Sequence, residues 1–409
     1  MLDPTLALAL AGSIIVIGFL GNYFFERTGF PDMIFLIVLG ILIGPVVRWV
    51  DTGYIIPLAP YFAALALVFI LFDGGMAMNI YRVFTESPRA TILAVVGFGL
   101  SVAATTLFAA LLVIPDKPIT YSMLLGTILG GSSSIVVISL ASRIGVSEKC
   151  STILSLESAL TDILCIVFSL TIIEITLGST VDPIRIGQAI ASKFSIGIVL
   201  GIIFGLIWLS VLKRILKAPY VYILTLAIVL LAYAVSETLG GSGALCCLLF
   251  GIVLGNEKEI YRMLRMERPA ETVIDVGLKR FESEVAFLLR TFFFVYIGLI
   301  STISDIRISL LGVILSLILL LARFGAVRIA TARSELIEER PIMSVILTRG
   351  LAAAVLATLP LQYSEANSTF KELSGIYINI VVLVILATAM IATIGIPILR
   401  RRVKKTKLS

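Results

Sequence analysis

The sequence contains no histidine. That removes imidazole catalysis, the commonest transition-metal ligand and the usual switch near neutral pH. Any proton handled in that range must ride on a carboxylate. Charge is also scarce: 14% of residues are Asp, Glu, Lys or Arg, against about 25% in a soluble domain. Only four cysteines occur, Cys150, Cys165, Cys246 and Cys247. They lie in or beside apolar runs, lack the paired spacing of a zinc site, and read as small core residues.

What is abundant is apolar sequence. The chain of 409 residues is 59% hydrophobic, with a mean hydropathy of +1.10. Runs of about 20 apolar residues, enough to cross a bilayer, recur roughly thirteen times, from 6–25 to 375–399. The composition predicts an all-α polytopic membrane protein with about 13 transmembrane helices. The first run lacks a basic leader and a small-residue cleavage site, so it reads as a helix and not a signal peptide. Beyond Leu399 stands only RRRVKKTKLS, so no soluble or nucleotide-binding domain is expected.

Basic residues set the orientation. With the C-terminus cytoplasmic and the N-terminus outside, roughly 23 of the 32 Lys and Arg fall on the inner side. The net charge of +6 is thereby mostly a topology signal, and nucleic-acid binding is not implied. Arg290, Arg323 and Arg349 fall within spans.

Residues 150–177 read CSTILSLESALTDILCIVFSLTIIEITL, a span with Glu157 and Asp162 inside it. A carboxylate at the bilayer centre costs about 3 kcal/mol on insertion scales. Such groups survive where they face a partner or a water-filled cavity, often where ions or protons pass. In a helix, Ser158 and Asp162 share one face, while Glu157 and Thr161 share the neighbouring one. A hydroxyl beside a carboxylate suits a desolvated monovalent cation, which makes Asp162 the candidate transport residue. Arg323, in LLLARFGAVRIA, is deep enough to pair with Glu157. Guanidinium groups stay charged, so the three arginines read as structural. Asp73, Glu174 and Glu237 lie nearer span ends and read as solvated or entry-path residues.

Two further patterns point to a transporter. Residues 36–45, LIVLGILIGP, match 247–256, CLLFGIVLGN, and FILFDGGM (69–76) weakly matches FFFVYIGL (292–299). The offset is an odd number of spans, so the halves are inverted in the membrane, a signature of secondary transporters. The run LGGSSSIVVISLA places Gly130, Gly131, Ser132, Ser133 and Ser134 at mid-span. Such a stretch weakens a helix and frees carbonyls as ion ligands. Gly350 and Pro360 interrupt the twelfth span, so two broken helices are expected to cross.

The segments ESALTD (157–162), SSSIVVISLASRIGV (132–146), RTFFFVYIGL (290–299), LLLARFGAV (319–327) and TRGLAAAVLATL (348–359) together resemble the monovalent cation/proton antiporters. That family includes the NhaP-type proteins and the eukaryotic sodium/proton exchangers. The resemblance implies that Asp162 alternately binds cation and proton, that Ser158 is a hydroxyl ligand, and that Glu157 and Arg323 form a supporting ion pair. Ser132 and Ser133 fall where the family supplies ligands from an unwound stretch, and Thr161 completes the expected ion- and proton-binding set. It also implies a homodimer in the cell membrane, with a core moving against a dimerisation domain. Here those would be 87–180 and 305–400 for the core, 1–86 and 181–304 for dimerisation, and 401–409 as a basic tail. No cofactor is implied; the small ligands are Na+, Li+ or K+, and H+.

Two positions depart from the NhaP pattern. Thr161 stands where Asn is usual, and Ser132-Ser133-Ser134 replaces Thr-Asp-Pro, closer to the Ser-Ser-Thr of Kef-type potassium/proton relatives. With a single titratable ligand, the expected function is electroneutral exchange of one monovalent cation, foremost Na+, for one proton. The alternatives are K+/H+ exchange and, further off, transport of an organic anion at Arg349. An intramembrane hydrolase built on Ser132 to Ser134 would lack a general base, so no enzymatic activity is expected.

Overall fold

The computed structural model describes residues 4–28, 32–47, 59–133, 146–178, 183–215, 218, 220–263, 265, 274, 276–302, 306–332 and 334–406. Among these the chain is helical, with no strand. In chain order the helices are α1 (Pro4–Thr28), α2 (Asp32–Ile41, continued by a wider turn Leu42–Val46), α3 (Ala59–Ala77), α4 (Ile80–Phe108) and α5 (Ile119–Ile128). There follow α6 (Glu148–Thr176), α7 (Pro183–Ile215), α8 (Val221–Thr238), α9 (Gly243–Gly255), α10 (Glu257–Met263) and α11 (Val276–Ile300). The last are α12 (Ile306–Ala330), α13 (Arg340–Val345), α14 (Leu351–Leu356), α15 (Leu359–Gln362) and α16 (Ser368–Thr406).

Among the described residues, seven helices are long and apolar enough to cross a membrane: Pro88–Val113, Lys149–Thr176, Ala191–Ile215, Val221–Thr238, Gly277–Ile300, Ile306–Ala330 and Ser368–Leu399. Shorter apolar helices are Ala11–Phe24, Asp32–Val46, Ala64–Ala77, Ile119–Ile128, Gly243–Gly255 and Leu351–Gln362. In a bilayer each backbone group must be satisfied within the chain, which is why only helices appear. Apolar side chains such as Phe19, Leu107, Leu111 and Leu321 are exposed, as lipid-facing surfaces require.

The chain forms two compact units. One comprises Met1–Ala63, Glu86–Ser179 and Thr291–Ser409; the other comprises Ala64–Thr85 and Thr180–Arg290.

The glycine repeats of the sequence are close helix crossings, one inside each unit. In the first unit, a Cβ at Gly40 on α2 would overlap the backbone of Val295 and Gly298 on α11, and a Cβ at Gly298 would overlap that of Ile37 and Gly40. In the second unit, Gly75 on α3 meets the backbone of Leu248 and Ile252 on α9, and Gly251 meets Phe72 and Met76. Small residues let membrane helices approach to backbone contact. Each crossing therefore joins a segment of one repeat to a segment of the other. Asn256, the last residue of the second repeat, fastens its crossing. Its amide donates to the carbonyls of Met78 and Ile252 at 2.7 Å each and accepts from the Ile80 N–H at 2.9 Å.

All four cysteines are buried thiols without a disulfide. Cys246 and Cys247 point at the carbonyls of Ala232 and Val229 on α8, as small side chains in a helix interface.

Candidate functional site

The site lies wholly within the first unit and begins with two helix breaks. Helix α5 stops at Ile128, and residues 129–133, which include Gly130 and Gly131, are not helical. Glycine in a helix interior costs about 1 kcal/mol relative to alanine, and two in succession beside competing serines end the helix here. The second break covers residues 346–350, between α13 and α14. The breaks cross: the Ser133 N–H donates to the Thr348 carbonyl at 2.7 Å. A Cβ at Gly350 would overlap the Ser133 side chain, so glycine at 350 is what allows the approach.

Helix α6 forms the wall against which the first break is held. Its N-terminus is capped by Ser147, whose Oγ accepts from the Cys150 N–H at 3.1 Å. Glu339 in turn accepts from the Ser147 N–H at 2.8 Å and its hydroxyl at 2.9 Å. Farther along, three residues of α6 grip Ser132. The Thr161 hydroxyl accepts from the Ser132 N–H at 3.1 Å. The Ser158 hydroxyl donates to the Ser132 carbonyl at 2.7 Å. The Ser132 hydroxyl lies 3.1 Å from both carboxylate oxygens of Glu157. The non-helical segment thus has its donor, its acceptor and its side chain all engaged by one helix.

Glu157, 2% exposed, is fully matched. Arg323 on α12 meets it with two parallel contacts, Nη1 to Oε1 at 2.9 Å and Nη2 to Oε2 at 3.2 Å. The remaining Arg323 Nε donates to the Met343 carbonyl at 3.2 Å, tying the pair to α13. A buried pair of this kind offsets its desolvation only with good geometry and further hydrogen bonds, and both are present.

Arg349 sits in the second break, 4% exposed. Its Nη1 donates to the Gly131 carbonyl, freed by the first break, and its Nη2 donates to Ser101 Oγ on α4 at 3.1 Å. Its backbone N–H donates to Thr388 Oγ1 on α16 at 3.1 Å. One arginine therefore links both breaks to two long helices. Beside it, the Thr348 hydroxyl is buried and has no hydrogen-bond partner among the described residues.

Asp162 differs from all of these. It is partly exposed, and no hydrogen bond or ion pair to its carboxylate is formed among the described residues. The charges acting on it are those of Glu157, which repels, and Arg349, which attracts. Four residues earlier, Ser158 donates its proton to the Ser132 carbonyl, which leaves its hydroxyl oxygen an acceptor for a cation. A carboxylate and a hydroxyl oxygen, one turn apart and bordered by a carbonyl-bearing break, are a hard, oxygen-rich donor set of the kind alkali cations take.

Of the residues singled out from sequence, the structure gathers Asp162, Ser158, Ser132, Ser133, Thr161, Glu157, Arg323 and Arg349 around the crossing. Arg290 belongs to the second unit, where its charge acts on Asp73. Ser134 lies outside the described residues. Ser101, Thr348 and Thr388 were not singled out. Lone hydroxyls in apolar helices give no pattern to read, although Thr348 adjoins the intramembrane Arg349. Among the described residues no group of three or more Cys, Asp and Glu side chains is placed to hold a metal ion.

Comparisons with known proteins accord with this geometry. Residues 12–402 match the family model described as sodium/hydrogen exchanger, transmembrane. A K(+)/H(+) antiporter NhaP2 of Shewanella sp. (strain MR-4) is 27% identical over 383 residues, covering 90% of this chain and 61% of the relative. This chain thus spans about three-fifths of the length of that relative. The low-affinity Na(+)/H(+) antiporter NhaS1 of Synechocystis sp. is 27% identical over 275 residues, covering 64% of this chain and 50% of the other. The solved structure of the sodium proton antiporter MjNhaP1 from Methanocaldococcus jannaschii superposes with a TM-score of 0.81 at 20% identity, over 98% of this chain and 99% of that one. The shared architecture is the inverted-repeat fold with two crossing broken helices.

Proposed function

We propose a function from one premise: the chain belongs to the sodium/hydrogen exchanger family, a family of multi-pass membrane proteins. It exchanges a monovalent cation for a proton across the membrane, and Asp162 is the group for which the two compete. The observation that carries this reading is the state of the site's polar groups. Glu157, Arg323, Ser132, Thr161 and Arg349 are committed to one another or to backbone. Asp162 and the acceptor side of Ser158 stand over from that network. A carboxylate kept in a membrane interior without a fixed partner needs a bound proton or cation to offset its charge.

Roles follow from these bonds. Asp162 and Ser158 Oγ bind the ion. Thr161, Ser132 and Ser133 position the broken segment, and the pair Glu157–Arg323 holds it from behind. Because Thr161 cannot titrate and Arg323 and Arg349 stay charged, each cycle moves one proton against one cation and is electroneutral. Na+ is the first candidate. K+ is the second, favoured by the names of the NhaP2 relatives and by the absence of a second carboxylate among these ligands. Arg349 donates to Gly131 and Ser101, which argues against its serving as an anion site. The chain works as a homodimer in the cell membrane, N-terminus outside and C-terminus in the cytoplasm. Segments 87–180 and 305–400 are its moving core, and 1–86 with 181–304 its dimerisation part.

The test is cation-induced collapse of a pH gradient in proteoliposomes, with Na+, Li+ and K+ added separately. At least one cation dissipates the gradient in the native chain, with no dependence on imposed voltage. Asp162→Asn abolishes the response to all three. Exchange that survives this substitution removes Asp162 from the mechanism, and voltage-dependent turnover removes the one-to-one stoichiometry.

A further inference from the structure

The second unit contains a buried acid that the exchange site does not use. Glu282, in the second turn of α11, is 1% exposed, and neither of its carboxylate oxygens has a hydrogen-bond partner among the described residues. An unmatched ionised carboxylate in such surroundings is among the costliest groups a protein can bury.

The charged and titratable groups around it can be named element by element. On α11 itself, Arg280 pairs with Glu284 at 2.9 Å on the exposed side, and Lys279 reaches the Gly255 carbonyl at the end of α9. From α8, Tyr222 packs its ring against Phe281 at 5.8 Å. From α3 comes Asp73.

Asp73 is the charge that acts on Glu282, and Arg290 is the charge that acts on Asp73. Arg290 lies eight residues beyond Glu282, about 12 Å along the helix, so it serves Asp73 and not Glu282. Two carboxylates therefore share the neighbourhood of one guanidinium, and the one left over is the one with no donor. Asp73 is partly exposed, which gives the pair a route to water.

We propose that Glu282, with Asp73 as its neighbouring acid, holds one exchangeable proton, forming a proton-binding site in the second unit that is distinct from Asp162. The proton resides on Glu282, so that the ionised Asp73 faces a neutral neighbour and the trio Glu282, Asp73 and Arg290 carries no net charge. Its binding does not depend on the exchange reading; only its use in setting the pH range of turnover does.

The test is proton counting on the purified full-length chain in detergent, without Na+, Li+ or K+, by pH titration in weak buffer. Infrared difference spectra follow the carboxyl C=O band in the same samples. Glu282→Gln mimics the protonated acid in shape. It takes up one proton fewer per chain than the native protein and loses a protonated-carboxyl band. It still exchanges cations for protons in proteoliposomes, with an altered pH profile. Asp162→Asn keeps this proton while losing cation-dependent proton release, so the two sites fail separately. An uptake curve and spectrum for Glu282→Gln identical to the native ones would overturn the proposal. If Glu282→Gln does not yield monodisperse protein, Asp73→Asn decides the question instead, because removing the neighbouring acid must displace the titration step. An undisplaced step overturns it.

Discussion

Glu157 and Glu282 are both glutamates in membrane-spanning helices, 2% and 1% exposed, yet their surroundings are opposite. Glu157 receives two contacts from Arg323 and a hydroxyl from Ser132. Glu282 receives none among the described residues. Depth in the membrane alone therefore does not say what a buried acid is for. The donor set does. A carboxylate with a full complement of donors is a structural part, charged at all times and tied to three helices. One without donors has to be neutralised by something that comes and goes. Asp162 stands between these cases, with an arginine near enough to be felt and none bonded.

The contrast can be broken most easily at Glu157. Glu157→Gln leaves the Arg323 guanidinium buried against a neutral amide and is expected to destabilise the protein by about 3–5 kcal/mol. Thermal unfolding of the purified protein in detergent measures it. Combining it with Arg323→Met should recover part of that loss, because no guanidinium is then left buried without its carboxylate. A single variant that melts with the native protein would mean that the pair contributes nothing, and the distinction between the two glutamates would go.

A smaller effect is expected at Ser132. Ser132→Ala removes one hydroxyl donor from Glu157 while keeping the Ser132 backbone bonds to Thr161 and Ser158, for a loss of about 2 kcal/mol. Exchange should persist at a reduced rate, and its disappearance would mean that the Ser132 hydroxyl contacts the ion. The smallest effect belongs to Glu282→Gln. Replacing a protonated acid by its neutral isostere should shift stability by no more than about 0.5 kcal/mol, the range of substitutions that remove no packed or bonded group. A loss as large as that for Glu157→Gln would show a charged Glu282 with a partner.

Much of the fold was legible because a bilayer narrows the options so far. Long apolar runs with few charges can only be helices, and the glycine spacing shared by 36–45 and 247–256 marks the close crossings of both units. At the site, Asp162 and Glu157 stood out because carboxylates rarely occur in such runs, and Gly130-Gly131 beside three serines marked the first break. The hydroxyls of Ser101 and Thr388 did not stand out. A serine or threonine in a membrane helix commonly bonds the carbonyl one turn back, as Thr388 does with Val384 at 2.7 Å, and nothing in the sequence says that it also receives the Arg349 N–H. Glu282 was hidden for another reason. With Arg280 and Glu284 beside it, it reads as the charged rim of a span, yet in the folded chain it is 1% exposed.

The interlocked glycine crossings bear on how the chain is made. Gly40 and Gly44 of segment 36–45 meet the backbone of α11, and Gly75 of segment 69–76 meets that of α9. During synthesis the early helices enter the bilayer long before those partners leave the ribosome. They must wait there with bare glycine faces until well over a third of the chain has followed. Assembly is therefore expected to be late and concerted, with partially made chains the species most exposed to quality-control proteolysis.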